Sequence, residues 1–423
     1  MNKRNNSNIY FLENIIPHYA ESPIESSGYS IVLLEASAGA NIDDIPDRYD
    51  LNDKDNHEYR YVEKVSNQQI ANIHEGQYVF YYDRYDGPVF ENANSDNIAK
   101  RNIILNNLLR GLLIKKQRPK DQEIKIAPDS RIYSYHINVG HGNCSIIVIQ
   151  DSNEVKLWMV DCSDFDYKNK EDHQSQINAC FSHIKDRFHI DKIFIEKFFL
   201  THAHYDHYSG VSRLLDGGIL NGNTEFLMNL HYSMPSENYN RLLRKIHALS
   251  PSIIEPTFSL NQNWIEVWHP HTRTIRSKTV AYVNQNVTVE PKINNSSVIY
   301  FFKLGQKTML FPGDIETERW NTVNSCYPCL RNTDYYIISH HGSLNGHLRN
   351  QCPHSRYISN LSDCVGSFAT PILMGKDGSY SGIYSRKVIQ DFNCNIAYSE
   401  KDMNGNTCQF LEIDWQTNQK QWL

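Results

Sequence analysis

The feature that most constrains this chain is a cluster of metal-binding residue types that directly follows an apolar segment over residues 193–200. The cluster reads Thr201, His202, Ala203, His204, Tyr205, Asp206 and His207. Where a strand ends and turns into a helix, alternate residues point to one side, so His202 and His204 can share one ion. Asp206 and His207 can then reach a second ion. A lone histidine is more simply explained as a surface residue, but four donors at this spacing favour a metal site.

The donor types indicate which ions such a site takes. Imidazole nitrogen and carboxylate oxygen together suit zinc, manganese or iron, with positions left open for water. Two ions ~3.5–4 Å apart can hold one hydroxide between them as a nucleophile. The cluster therefore predicts a hydrolytic centre with two divalent transition metal ions, zinc or manganese.

The pattern around the cluster predicts an α/β fold preceded by a different module. At 423 residues the chain exceeds what one hydrophobic core usually serves. Residues 1–127 are polar and asparagine-rich, with short strand-like runs, so we assign them to an N-terminal α+β module of unknown role. Residues 128–423 alternate strands with helices and form the predicted catalytic domain. Its predicted elements are strands at 133–139, 145–149, 157–160 and 193–200, and a helix at 176–187.

The end of the N-terminal module carries a predicted helix. Apolar residues recur at helical spacing from Ile104 to Leu113, after a cap at Ser95 or Asp96. A basic run follows over residues 115–120, which fits a solvated helix end better than a nucleic-acid contact.

Composition and charge exclude several classes of protein. The chain is 40% hydrophobic and 21% charged, as in ordinary globular proteins, and its net charge of −6 argues against a surface that grips nucleic acid throughout. No segment approaches the roughly 18 apolar residues of a membrane span, and no apolar signal core follows Met1. Without a secretory signal, the nine cysteines are expected to be reduced thiols. We therefore expect a soluble cytoplasmic protein that does not bind a membrane.

Several motifs, in a fixed order, resemble those of one superfamily. Besides the histidine cluster, these are the runs 138–143 (Asn-Val-Gly-His-Gly-Asn), 159–162 (Met-Val-Asp-Cys), 294–298 (Asn-Asn-Ser-Ser-Val), 310–316 (Leu-Phe-Pro-Gly-Asp-Ile-Glu) and 334–343, which ends in His-His-Gly-Ser. The set resembles the metallo-β-lactamase superfamily, and within it the soluble hydrolase domain of the ComEC family of DNA-uptake proteins. The likeness covers residues 130–415, about two thirds of the chain.

This resemblance implies a fold and a set of roles. It implies a metallo-β-lactamase αββα sandwich, in which Asp314 bridges the two ions and Asp161 orients the loops of the metal site. It also implies a ligand in the His-His pair, which we assign to His340, with His341 as the alternative. The predicted catalytic residues are Asp206, His207, Asp161 and His141. The predicted metal ligands are His202, His204, Asp206, His207, Asp314, His340 and His231.

The chain departs from the ComEC pattern at several positions. Asn138 and Asn143 stand where the family has aspartates, and His141 replaces a glutamine and could act as a ligand or a proton donor. The family's later Tyr-Gly-His-Pro segment corresponds to residues 380–383, where its histidine is missing. His231 lies where other members supply the third ligand of the first ion, although a structural histidine fits that position equally well.

A possible zinc knuckle is the weaker pattern. Cys326 and Cys329 form a Cys-x-x-Cys motif near Cys352 and His354. Without a matching second pair, two unrelated loop thiols explain it better.

Three functions remain open at this point. The first is a phosphodiesterase, specifically a nuclease on DNA, because the resemblance points to DNA and a two-metal site suits displacement at phosphorus. The second is a hydrolase of a small substrate such as a cyclic nucleotide or a lactone. The third is a regulatory binding module that keeps the metal site. The N-terminal module could recognise a protein partner.

Overall fold

The computed structural model describes residues 9–17, 28–35, 59–74, 76–114, 126–127, 129–152, 154–166, 169–230, 236–256, 261–269, 279–282, 285–288, 293–317, 319–320, 323, 333–347, 370–378, 383–392 and 396–423. The chain divides into two compact units. Unit 1 comprises residues 1–115, 230–248 and 276–293, and unit 2 comprises 116–229, 249–275 and 294–423. The boundary predicted after residue 127 had assigned both later segments of unit 1 to the second domain.

The described elements are mostly short strands. The helices are α1 (Asn67–Ile70), α2 (Asn97–Ile114), α3 (Gln174–Phe188), α4 (Tyr205–Tyr208), α5 (Val211–Asp216), α6 (Glu237–Leu249) and α7 (Arg386–Asp391). The strands are β1 (Ile9–Pro17), β2 (Tyr29–Glu35), β3 (Tyr59–Val65), β4 (Tyr78–Arg84), β5 (Gly87–Asn92), β6 (Arg131–Ile137), β7 (Cys144–Gln150), β8 (Val155–Cys162), β9 (Phe165–Asp166), β10 (Glu171–Asp172), β11 (Lys197–Phe199), β12 (Glu225–Leu227), β13 (Ser252–Ile254), β14 (Asn261–Gln262), β15 (Ile265–His269), β16 (Thr279–Tyr282), β17 (Gln285–Thr288), β18 (Ile299–Leu304), β19 (Lys307–Phe311), β20 (Tyr335–Ile337), β21 (Thr370–Leu373), β22 (Ala397–Tyr398), β23 (Phe410–Asp414) and β24 (Gln419–Trp422).

Unit 1 contains a five-stranded antiparallel sheet in the order β3-β2-β1-β4-β5. Alternate residues of these strands, such as Leu12, Ile31 and Leu33, form a buried core, and Ile70 of α1 packs against it. Within the same unit, helix α2 is tied to α6 by a buried hydrogen bond from Asn106 Nδ2 to Asn240 Oδ1 of 2.8 Å. Sheet and helices together confirm the α+β character expected of this region.

Helix α2 matches the predicted apolar periodicity only in part. Leu105, Leu109 and Leu113 are buried, whereas Ile104 and Leu108 are each half exposed. The cap lies at Asp96, whose Oδ1 accepts a hydrogen bond from the Ile98 N–H at 2.7 Å.

Unit 2 is a sandwich of two mixed sheets. The first has eight strands in the order β13-β12-β11-β8-β7-β6-β23-β24, and the second has seven in the order β14-β15-β18-β19-β20-β21-β22. In the first sheet β8, β11, β12 and β13 are parallel, and in the second β19, β20, β21 and β22 are parallel. The predicted hairpin of β6 and β7 is present as an antiparallel pair.

The inner faces of the two sheets share one aromatic core. The ring of Phe199 on β11 lies 5.2 Å from that of Tyr300 and 5.0 Å from that of Phe302, both on β18 of the facing sheet. Trp158 on β8 lies 4.8 Å from Trp264, beside β15. Such large buried rings contribute about 1.5–3 kcal/mol each through apolar burial.

Helices cover both outer faces of the sandwich. On the first sheet, α3 buries Ile177, Ile184 and Phe188, and the Phe188 ring lies 5.1 Å from that of Tyr133 on β6. On the second sheet, Val388 of α7 packs in a cluster with Leu310 of β19. The layering is therefore helix, sheet, sheet, helix, which confirms the predicted αββα sandwich. Among the described helices, none has the length and hydropathy needed to cross a membrane.

Candidate metal centre

The residues of the sequence motifs come together at one edge of the sandwich in unit 2. Asp161 lies near the end of β8, and the histidine cluster follows β11. From the facing sheet, Asp314 follows β19, and the pair His340 and His341 follows β20. All four strands run parallel to a neighbour, and parallel strands place their carboxyl ends, with the loops that follow, at a common edge. The fold thus brings residues from distant parts of the sequence to one place.

The donors form two groups that share one carboxylate. His202, His204 and Asp314 each place one ligand atom within 4.8 Å of the others, and so do Asp206, His207, Asp314 and His341. Asp314 belongs to both groups. Its Oδ1 lies 3.3 Å from His207 Nε2, while its Oδ2 lies 3.9 Å from His202 Nε2 and 3.5 Å from His341 Nε2. Asp314 thus lies between the two donor groups.

The ring nitrogens that face this space have no hydrogen-bond partner in the described part of the chain, although two of them lie 3.3 Å from a carboxylate oxygen. The Nε2 atoms of His202, His204, His207 and His341 are buried and make no hydrogen bond there, and neither does Asp314 Oδ1. Leaving a buried polar atom unsatisfied costs about 1–3 kcal/mol. Five such atoms in one spot are therefore explained by a ligand, and the mixed nitrogen and oxygen set fits divalent transition metals.

The electrostatics of the groups suit metal binding. Burial lowers the pKa of His202 well below its ordinary value and that of His204 to about 4. Both imidazoles are consequently neutral at pH 7 and offer a lone pair. Burial alone would raise the pKa of Asp206 and Asp314, but the neighbouring histidines, His207 foremost, together outweigh it and hold the pKa of both carboxyl groups well below the ordinary range. Both carboxylates are therefore ionised.

The pKa values of two histidines in the second group are shifted upward instead. Burial alone would lower the pKa of His341, yet the charges of Asp314 and Asp206 raise it to about 9. His207 is raised well above its ordinary value, against the effect of burial, by Asp314, Asp161 and Asp206. The carboxylates around these two histidines thus favour a positive charge, and a bound metal cation would provide such a charge.

Asp161 makes hydrogen bonds to the loop that carries the histidine cluster. Its Oδ1 accepts the Thr201 N–H at 2.7 Å, and its Oδ2 accepts the Thr201 hydroxyl at 2.8 Å. The same Oδ2 lies 2.8 Å from His207 Nδ1. A carboxylate on the far nitrogen of a ligating histidine fixes the tautomer and directs Nε2 toward the metal. Asp161 acts here as a positioning residue.

His141 lies against the second donor group. Its Nε2 is 3.1 Å from Asp206 Oδ2, and its ring centre is 4.4 Å from that of His341. Burial lowers the pKa of His141, so the ring is neutral and holds Asp206 by a hydrogen bond. Two asparagines lie in the same run of sequence as His141. Asn143 donates its backbone N–H to the Asp206 carbonyl at 3.0 Å, whereas Asn138 donates its side-chain N–H to the Cys408 carbonyl at 2.9 Å.

The His-His pair sits in a strained turn. His340 and His341 have φ of 50° and 49°, and Gly342 follows with φ of 74°. Non-glycine residues in the left-handed region cost about 1–3 kcal/mol each and concentrate at functional sites. The turn directs the adjacent side chains to different surroundings. His341 enters the second donor group, whereas His340 stays outside both groups, with its Nε2 3.9 Å from Asp314 Oδ2 and 3.4 Å from Asn294 Nδ2.

The geometry separates the two candidates in the pair. From the sequence we assign the ligand role to His340 with His341 as the alternative, and it is His341 whose nitrogen lies among the donors. Gly313 allows the loop after β19 to approach Thr201 and Ser297 closely. Its φ is 58°, and a Cβ there would lie 2.8 Å from Thr201 Cβ and 2.9 Å from Ser297 Oγ.

Some predicted residues lie outside the described part of the chain, and one group was not predicted. His231, residues 380–382, and the cysteine motif with Cys326, Cys329, Cys352 and His354 are not among the described residues. In contrast, Asp166, Glu171 and His173 form a third group of donors. Their spacing matches no metal motif, so only the folded chain reveals that they meet.

Metal-stripped protein should gain thermal stability when zinc or manganese is added. At a free metal concentration about 100 times Kd, one site adds about 2.7 kcal/mol, or roughly 5–10 °C in Tm for a domain of about 200 residues. Tm measures the gain in stability, and elemental analysis measures the number of ions.

The variant His202→Ala should lose the first ion. The matched control is His136→Asn, because His136 is equally buried but bonds Ser134 and Ser145. Equal metal content in the two variants would remove His202 from the site.

Comparisons with known proteins give remote likenesses of fold. No protein-family model and no curated protein matches this chain. Among solved structures, it is similar to the metallo-β-lactamase fold protein YhfI from Bacillus subtilis, with 13% identity over 49% of this chain and 70% of that chain and a TM-score of 0.28. It is also similar to a long form RNase Z from yeast (9% identity, 82% and 51% coverage, TM-score 0.37) and to a diphosphatase from the PhnP family (11% identity, 69% and 100% coverage, TM-score 0.32). These likenesses concern the fold alone.

Proposed function

We propose that the chain is a metal-dependent hydrolase of the metallo-β-lactamase superfamily. The observation that carries this proposal is the pair of donor groups that share Asp314, with their Nε2 atoms buried and without a hydrogen-bond partner in the described part of the chain. Structural metal sites usually close their ligand set with four donors, whereas catalytic sites use three and leave a position for water. Among the described residues, the first group has three donors, His202, His204 and Asp314. Open positions are what hydrolysis requires.

The chemistry of the site follows from its residues. Two divalent ions bound there would lower the pKa of a water between them and stabilise the negative charge of the transition state. His202 and His204 bind as neutral imidazoles, and Asp314 screens the repulsion between the two positions. Asp206 is fixed by His141 at 3.1 Å and faces His341 at 3.3 Å. Its carboxylate is placed to bind on the second side and to orient the attacking water.

Proton transfer at the site has one well-placed candidate. His141 is a neutral imidazole in contact with Asp206, and its ring packs on His341. Because its Nε2–H is directed at the ionised Asp206, it holds that carboxylate in place and could donate this proton toward the leaving group. The role of Asp161 is to position His207 and Thr201 through its hydrogen bonds to them.

For the substrate, we propose the phosphodiester bonds of DNA. The support is the ordered resemblance of the motifs over residues 130–415 to the ComEC hydrolase domain. Both the shared bridging carboxylate and the two-sided donor set suit in-line displacement at phosphorus, where one ion binds the nucleophile and the other the leaving oxygen.

One observation favours a second candidate. The net charge of −6 disfavours a long polyanion and is compatible with a small substrate such as a cyclic nucleotide or a lactone. A nuclease that neutralises several phosphates loses affinity steeply as salt rises, whereas a small-substrate enzyme responds weakly. Salt dependence therefore separates the two.

With manganese, the protein should cleave linear and circular DNA and should not open β-lactam or lactone rings. DNA binding and cleavage would be measured across a salt series from 50 to 200 mM, roughly the range over which a protein with several phosphate contacts loses about 10³-fold or more in affinity. RNA, bis-p-nitrophenyl phosphate, cyclic dinucleotides and lactones are assayed in parallel, each in zinc and in manganese. Rapid turnover of a small substrate with no DNA cleavage in either metal would replace DNA by the second candidate.

A further inference from the structure

A third cluster of donors lies beside the centre but uses none of its residues. Asp166 ends β9, Glu171 begins β10, and His173 directly precedes α3. One ligand atom from each of these residues lies within 4.8 Å of the other two. Asp166 is fully buried and His173 is 7% exposed, whereas the Glu171 side chain is 45% exposed. The cluster therefore reaches from the protein interior to its surface.

His173 is the residue that points to a ligand. Both of its ring nitrogens are buried, and neither makes a hydrogen bond within the described part of the chain. The Oε2 atom of Glu171 lies 3.7 Å from His173 Nε2, beyond hydrogen-bond range. Burial lowers the pKa of His173, so the ring is neutral and carries a free lone pair. A neutral imidazole with nothing to bind is costly in this position.

The backbone above the cluster leaves space at the point where the donors meet. Gly140 has φ of 66°, and a Cβ built on it would lie 2.6 Å from His173 Nε2 and 2.9 Å from Asp166 Oδ2. Both ligand atoms thus face the bare Cα of this glycine. Any side chain there would fill the space between them, so glycine keeps that space open.

Asp166 is held firmly enough to serve as a fixed ligand. Its Oδ1 accepts the Asn169 N–H at 3.0 Å, and its Oδ2 accepts the Asn169 side-chain amide at 2.9 Å and the His141 N–H at 3.2 Å. Glu171 is less committed, because Lys376 Nζ lies 2.7 Å from its Oε2. The lysine ammonium occupies one side of the glutamate and competes with a cation at that oxygen.

We propose that Asp166, Glu171 and His173 form a third metal site, distinct from the centre, which takes one divalent transition ion. One imidazole and two carboxylates suit zinc or manganese better than calcium or magnesium, which prefer oxygen donors alone. The ion would fasten the β9–β10 hairpin to the start of α3 and to the loop at 140–141. Since His141 lies in that loop and contacts Asp206, the site would position the proton carrier of the centre.

Elemental analysis after zinc loading and desalting tests the site directly. Glu171→Gln and His173→Asn should each hold one zinc ion fewer than the wild-type protein, and Glu171→Gln should weaken zinc binding by more than about 10-fold. Because Glu171 is at the surface, its variant is expected to fold even if His173→Asn does not. Equal zinc content in wild-type protein and folded Glu171→Gln, with unchanged affinity, would overturn the proposal.

Two further variants sharpen the test. Asp172→Asn is the matched control, because Asp172 is the next residue on β10 but pairs with Arg213 instead, and its zinc content should equal that of the wild-type protein. Lys376→Met removes the competing ammonium and should tighten zinc binding, while weaker or unchanged binding would contradict the role of Glu171 as a ligand. The variant His202→Ala tests the metal centre separately. The double variant His202→Ala with Glu171→Gln should lose the zinc that each single variant loses. A wild-type protein with a single ion that only Glu171→Gln removes would support this site while refuting the centre.

Discussion

Replacing Asp206 by alanine should lower hydrolytic turnover by more than about 100-fold while leaving the fold intact. The side chain is almost fully buried, and its Oδ2 lies 3.1 Å from His141 and 3.3 Å from His341. Alanine removes the ligand on the second side and the group that orients the water. It keeps the backbone carbonyl, which accepts the Asn143 N–H at 3.0 Å and holds the neighbouring loop.

Turnover, Tm and metal content measured on the same preparation separate chemistry from folding. Asp186→Ala is the control, because Asp186 is an exposed carboxylate on α3 and should be neutral in all three measurements. Asp206→Asn keeps the size of the side chain and loses its charge, and it should be nearly as inactive as alanine. Unchanged turnover in the alanine variant would remove Asp206 from the mechanism.

Asp314→Ala is expected to be at least as damaging, and it should weaken metal binding on both sides at once. Asp314 is the one residue shared by the two donor groups, and its two oxygens face different histidines. Without it, two cations would face each other with no negative charge between them. The backbone is preserved, since the Asp314 N–H donates to Ser297 Oγ at 3.1 Å whatever the side chain.

Isothermal titration with manganese measures the affinity, and elemental analysis measures the number of bound ions. The matched control is Asp334→Asn, because Asp334 is a carboxylate that directly precedes β20 of the same sheet. Asp334 pairs with Lys307 at 2.8 Å and belongs to neither group, so its variant should keep full metal content. If Asp314→Ala retained both ions at wild-type affinity, the bridging role would be wrong.

The sequence predicted those parts of the site that depend on regular backbone geometry. The donors after β11 follow a strand directly, so their alternation could be read from their spacing. The αββα layering was implied by the resemblance of the motifs, whereas periodicity predicted single elements such as α3, where Ile177, Ile184 and Phe188 are buried as expected. Strand lengths were less predictable. The apolar run at 193–200 pairs only over Lys197–Phe199, because apolar residues beside a strand can be buried without joining a ladder.

The features that residue types do not indicate depend on irregular backbone or on distant contacts. The choice between His340 and His341 is set by two successive left-handed residues, a conformation that the residue types do not announce. The group of Asp166, Glu171 and His173 forms across a hairpin and a helix start. Its members follow no ligand spacing, and their meeting depends on Gly140 facing them. The later segments of unit 1 could not be assigned either, since sequence periodicity carries no information about which core a helix joins.

The donors that share Asp314 come from both sheets, and this has a consequence for the order of folding. His204 and Asp314 are separated by more than 100 positions, so enclosing an ion between them requires closing a very long loop. In a zinc finger, by contrast, ligands a few residues apart can capture the ion in a nearly unfolded chain and nucleate structure. In the proposed centre, an ion would be enclosed only once β11 and β19 have docked. Tight metal capture would then follow the docking of the two sheets, and its time course would report on that step.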